Sequence, residues 1–103
     1  MHKSQFVQPV EIYEMILEKP NNLLEYHIEN ELILVPIVNN VAQMEFMYVL
    51  NDSAAFIWSN VEKFEKVEEL SRAMSFVFDV PETDALNDIY EFIEDIKNLA
   101  NKT

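Results

Sequence analysis

Carboxylates are the most abundant reactive groups in this sequence: 19 Asp and Glu stand against 7 Lys and Arg, for a formal net charge of -12. General acid–base catalysis needs such groups with displaced pKa values held in a cleft with a reaction partner. Here they fall on the polar faces of helical stretches, where a solvated acidic surface accounts for them. His2 and His27 lie far apart and neither belongs to a ligand-spaced motif, so no histidine metal centre is expected. Cysteine is absent, which removes thiolate nucleophiles, zinc thiolates and disulfides together. Ser53, Ser59, Ser71 and Ser75 lack the glycine-flanked elbow of a serine nucleophile, and Ser53 reads as a helix cap. With no glycine anywhere, the loops that bring backbone N–H groups up to a phosphate are also missing. The sequence therefore predicts no catalytic residue, no metal and no cofactor.

Recognition is the remaining chemistry, and its groups must be positioned by the elements around them. Leu23 to Ile28 and Glu31 to Ile37 read as two strands, with Pro36 placed at an edge or near the end of the second. Val38 to Gln43 reads as a hairpin loop. Met44 to Leu50 reads as a third strand with Met44, Phe46, Tyr48 and Leu50 on one face and Met47 and Val49 apolar on the other. A face so poor in polar residues implies that part of it is covered. Asn51, Asp52 and Ser53 then hand the chain to a helix from about Ser53 to Val61, in which Ala54, Ile57, Trp58 and Val61 hold buried-face spacing. A second helix runs over 67–78, with Val67, Leu70, Met74 and Val77 inward. A third, which Pro81 introduces, runs over 84–100 with Leu86, Ile89, Ile93, Ile96 and Ala100 in one row. Positive backbone angles must fall to Asn or Asp, for which Asn21, Asn22, Asn30, Asn39, Asn40, Asn51 and Asn60 are suitably placed.

The 103 residues, half of them apolar, suffice for one modest core. The predicted division is an N-terminal extension over 1–20, where Val10, Tyr13, Ile16 and Leu17 suggest a short helix between Pro9 and Pro20, and one domain over 21–103. No apolar run approaches the roughly 20 residues that span a bilayer, and the N-terminus lacks a signal-like apolar segment, so a cytoplasmic protein with no membrane partner is expected. The fold class is α+β: a three-stranded antiparallel sheet followed by three helices, winged helix-turn-helix-like. That outline raises DNA binding. The would-be recognition helix, however, carries Asp84, Asp88, Glu91, Glu94 and Asp95 against Lys97 and Lys102, and this sign repels phosphate, so no nucleic-acid partner is expected.

The string Leu50-Asn51-Asp52-Ser53-Ala54-Ala55-Phe56-Ile57-Trp58 resembles the signature of the PqqD-like family. The resemblance continues through Val67, Glu68, Glu69 and Leu70 and through Asp88, Ile89, Phe92, Ile93 and Ile96, covering roughly Leu23 to Ala100. It departs where Phe64 stands in a region that commonly holds glycine and where the Gly-Leu ending is missing. The resemblance implies a non-catalytic recognition element for ribosomally made precursor peptides. The leader would add as a strand beside the third strand, in a groove bounded by the third helix, and a partner such as a radical S-adenosylmethionine enzyme would modify the core peptide. Geometry then selects Glu45, Phe46, Met47, Tyr48 and Val49 on the strand, with Leu86, Asp88, Tyr90 and Phe92 on the helix, as peptide-binding residues. The rival expectation is an adaptor that uses the same edge to form a homodimer or to dock on a larger protein. Trp58 reads as core rather than ligand platform, and Met15, Met44, Met47 and Met74 as gap fillers, Met44 and Met47 being also suited to an adaptable groove.

Overall fold

The computed structural model describes residues 19–101, so the helix suggested within 1–20 lies outside the described residues apart from Lys19 and Pro20. Strand β1 (Leu23–Ile28) pairs antiparallel with β2 (Glu31–Val38), Leu23 opposite Pro36 and Ile28 opposite Glu31. The chain turns next at Asn39 and Asn40, both left-handed with φ of 54° and 65°. Two such residues in succession make a hairpin turn whose twist matches the strands, and asparagine takes the place of the missing glycines. At the first hairpin the left-handed residue is Glu29, φ 55°, rather than the expected Asn30.

The predicted third strand is divided. Val41–Ala42, expected as loop, forms a two-residue strand β3 against Ile37 and Val38. Met44–Phe46, expected as strand, makes one 3₁₀ turn in which Phe46 N–H donates to the Gln43 carbonyl at 3.0 Å and Met47 N–H to Met44 at 3.2 Å. Only Tyr48–Leu50 remains as β4, set against Leu34 to Leu32 of β2. The local bonds substitute for ladder bonds over these residues, so Glu45 and Phe46 lie on the turn and Met47 on the extended link to β4.

Three helices follow the sheet: α1 (Asp52–Asn60), α2 (Val67–Phe78) and α3 (Glu82–Ala100). The cap of α1 is Asn51, whose Oδ1 accepts from Ala54 N–H at 2.8 Å; Ser53, expected in that role, donates its hydroxyl to the same oxygen at 3.2 Å. The helix begins a residue earlier than its apolar spacing indicates, because a capping side chain must lie outside the first turn. Asp79 ends α2 in the left-handed region, φ 55°, with Val80 N–H on the Ser75 carbonyl and the Ser75 hydroxyl on the Val80 carbonyl. α3 starts directly after Pro81, whose missing N–H costs nothing where no intrahelical partner exists.

One face of the sheet, through Leu32, Leu34 and Leu50, closes on all three helices, and Trp58, Leu70, Met74, Ile89 and Phe92 share that core. Ring pairs of Trp58 with Phe92 and of Phe56 with Phe78 meet edge to face at 6.4 and 5.6 Å. On the opposite face Ile33 and Val35 are buried as well, whereas Tyr26, Ile28 and Val49 are exposed. Two polar ties join sheet and helices: Asn22 Nδ2 donates to the Ala100 carbonyl at 2.7 Å, and Trp58 Nε1 to Glu25 Oε1 at 2.9 Å.

Ile89 is fully enclosed where α3 meets the sheet and the other helices. Ile89→Ala is expected to lower unfolding free energy by about 2–5 kcal/mol in denaturant titration. Phe76→Ser, at a side chain 89% exposed, is expected to change it by no more than about 0.5 kcal/mol.

Candidate functional site

The strand edge comes from topology. β2 is central, with β1 on one side and β3 and β4 on the other. Among the described residues β4 pairs with β2 alone, so its outer edge offers unpaired backbone groups to another extended chain. Alternation along β4 turns Tyr48 and Leu50 toward the helices and Val49 toward the opposite face, in register with Ile33.

Helix α3 bounds the helix side of this edge. The Tyr48 hydroxyl donates to Asp95 Oδ2 at 2.9 Å, fixing the separation of β4 and α3. The phenol is pushed up to about 12, first by burial, then by the bond to Asp95 and its charge. Asp88, Glu91 and Asp95 succeed one another along a single stripe of α3 and line a hollow floored by Ala54, Ile57 and Phe92, with Asn51 and Ser53 at its end. A second, open hollow shares Asn51, Ser53 and Asp88 and continues onto Met74, Phe78 and Val80. Among the described residues no three His, Cys, Asp or Glu side chains are grouped to hold a metal ion. No described helix is long and apolar enough to cross a membrane.

The residues expected to bind peptide are only partly brought together. Tyr48, Asp88 and Phe92 gather at the β4 edge and its hollow. Val49 lies on the edge strand, facing away from the helices, and Met47 is half exposed on the approach. Glu45 and Phe46 precede it on the 3₁₀ turn. Leu86 and Tyr90 are on the other flank: two residues either side of Asp88 is about 200° round the helix, and both pack against the core. Phe92 is 5% exposed and serves as floor. Glu91 and Asp95, absent from the expected set, were visible as members of the Asp88 stripe by their spacing of three and seven residues.

A further concavity of about 210 Å³ opens beyond Trp58, between Ile57 and Val61 of α1 and Ile93, Ile96 and Ala100 of α3. Trp58 forms part of its wall while remaining a core residue, 3% exposed. Lys19 Nζ stands 4.6 Å from the indole centroid, a cation over a ring face. Glu25, bonded to Trp58 on one oxygen and to His27 Nε2 at 2.7 Å on the other, is held below the usual glutamate range. The indole bond is the largest cause; burial opposes it, and His27 and Lys19 add smaller contributions.

Two titrations check these contacts. Tyr48 has a raised folded-state value, so its contribution to stability is complete below the ordinary 10.0 and is lost as pH rises toward about 12. Asp95→Asn is expected to bring the phenol back toward its ordinary value, read by NMR of the labelled tyrosine ring. Glu25 has the opposite sign: ionised Glu25 stabilises the fold above the ordinary glutamate range, and that contribution is lost as pH falls through its depressed value. Trp58→Phe is expected to raise the Glu25 titration measured at its carboxyl carbon.

The sequence model of the family described as coenzyme PQQ synthesis protein D (PqqD) matches residues 27–99. Among solved structures, the chain is similar to one described as TbiB1 in complex with the TbiA(beta) leader peptide, with a TM-score of 0.61 and 21% sequence identity over 81% of this chain and 93% of that one. At that identity the likeness speaks for the fold. No curated protein matches the chain.

Proposed function

The chain belongs to the family of coenzyme PQQ synthesis protein D, and on that premise we propose that it is a non-catalytic peptide-recognition protein. It takes the leader of a ribosomally synthesised precursor peptide as an added strand along β4 and presents the precursor, in the cytoplasm, to a modifying enzyme, a radical S-adenosylmethionine enzyme being the candidate. The observation that carries this reading is the β4 edge, unpaired among the described residues and held beside α3 by the Tyr48–Asp95 bond. Main-chain pairing supplies affinity in such a mode and side-chain pockets supply selectivity. The structural relative described with a leader peptide supports the same use of the fold.

The short edge limits the contribution of the backbone. A net 0.5–1.5 kcal/mol is typical, to order of magnitude, of one hydrogen bond, and β4 has three residues. Affinity in the micromolar range, about -8 kcal/mol, therefore needs side-chain contacts as well, for which Met47, Val49 and the hollows below Asp88 are available. The same arithmetic disfavours the adaptor reading in its simplest form, because edge pairing of two copies through three residues each is too small for a stable homodimer.

Calorimetric titration with the short peptide encoded nearest the gene, beside a scrambled version, tests the proposal together with amide exchange. Sequence-dependent binding that slows exchange at Val49, whose N–H faces outward while those of Tyr48 and Leu50 face β2, is the expected result, and Met47→Asp should weaken binding by about tenfold or more. Binding that leaves the Val49 amide unprotected, or no binding to either peptide, would overturn the strand-addition reading.

A further inference from the structure

We propose that the peptide accepted by this edge carries lysine or arginine at the positions facing α3, and that Asp88, Glu91 and Asp95 select it. This rests on the strand-addition reading and goes beyond it by assigning the charge of the bound segment. Residues directly opposite one another in a sheet point to the same face. The added residues beside Tyr48 and Leu50 therefore turn toward the helices, and Val49 marks the position that turns away.

On the helix side they meet α3, where the three carboxylates cover about two turns, roughly 10 Å. All three line the hollow, and none of the five described basic side chains does. Lys97, the cation that α3 itself supplies, pairs at 3.8 Å with Glu94, away from the Asp88 stripe. Asp95 receives a neutral phenol, which satisfies a lone pair and leaves its charge unmatched among the described residues.

An acidic stripe alone would be an ordinary solvated face. Here it adjoins two features that favour an extended chain: an open strand edge, and an apolar hollow at Met74, Phe78 and Val80 that shares Asp88 at its rim. A long basic side chain can lay its methylenes across the Phe92 and Ile57 floor and end its charge on the stripe. An acidic side chain at the same position would meet three like charges on a protein of net charge -12.

The test is a selection from a displayed library of random dodecapeptides on the wild-type protein, followed by calorimetry and amide exchange with the recovered peptides. Lysine or arginine recurring at alternate positions, together with protection of the outward Val49 amide, is the expected result. The variant Asp88→Asn/Glu91→Gln/Asp95→Asn should bind those peptides about tenfold or more weakly. Glu62→Gln/Glu65→Gln/Glu68→Gln, which removes the same charge from exposed positions before and at the start of α2, should change affinity by less than about twofold. Thermal unfolding of both variants checks that they remain folded. Recovered peptides that protect β4 without basic residues, or that bind both variants equally, would overturn the charge assignment and leave strand addition standing. Peptides that bind without protecting β4 would overturn strand addition itself.

Discussion

The position of the strand-to-helix junction governs the rest of this molecule. Leu50 is buried at the end of β4, and the next residue, Asn51, uses its side chain to close the first turn of α1. A strand end and a helix start are thus fixed within two residues, with no linker to absorb error. From that point α1 can lay Ala54, Ile57 and Trp58 on the sheet, and Trp58 can reach back to Glu25 on β1. The outer edge of β4 stays beside α3 because α3 packs on a helix anchored at the end of that same strand.

Much of this was legible in the residues. The helix over 67–78 has the expected bounds and Leu23 to Ile28 is the expected strand, because periodic segments report their own geometry. Val77, expected inward, is instead 54% exposed, since in the last turn of α2 it is Phe78 that packs against the core. The stretch from Met44 misled because a period of two is satisfied by any alternating run, and a single 3₁₀ turn of three residues breaks the ladder without disturbing that alternation. For the site, Tyr48, Asp88 and Phe92, taken from fold and pattern, lie together at the β4 edge and its hollow. Leu86 and Tyr90 lie on the opposite flank of α3: they were chosen as flanks of an apolar row, and a helical period alone does not say which flank faces the strand.

Glycine's absence is met in two ways. Asn39, Asn40 and Asp79 take left-handed backbone with side chains suited to it, whereas Glu29 takes it without that advantage. Carboxylates likewise have more than one office: Glu25 is bonded to the indole of a core tryptophan, Asp95 holds a phenol, and Asp88 and Glu91 border the hollow. A uniform account of the acidic composition as solubility therefore misses the residues that join elements.

The 3₁₀ turn at Met44–Phe46 carries a consequence for how much of a partner can be read. It withdraws the backbone from the ladder just ahead of β4, so a chain added there finds three edge residues before the template ends. Backbone pairing confined to so short a stretch places no demand on the main chain of the rest of a leader, beyond the residues that reach the hollows. Substitutions elsewhere in the partner would pass unselected by this contact, and peptides that share only a few residues could be served by one protein.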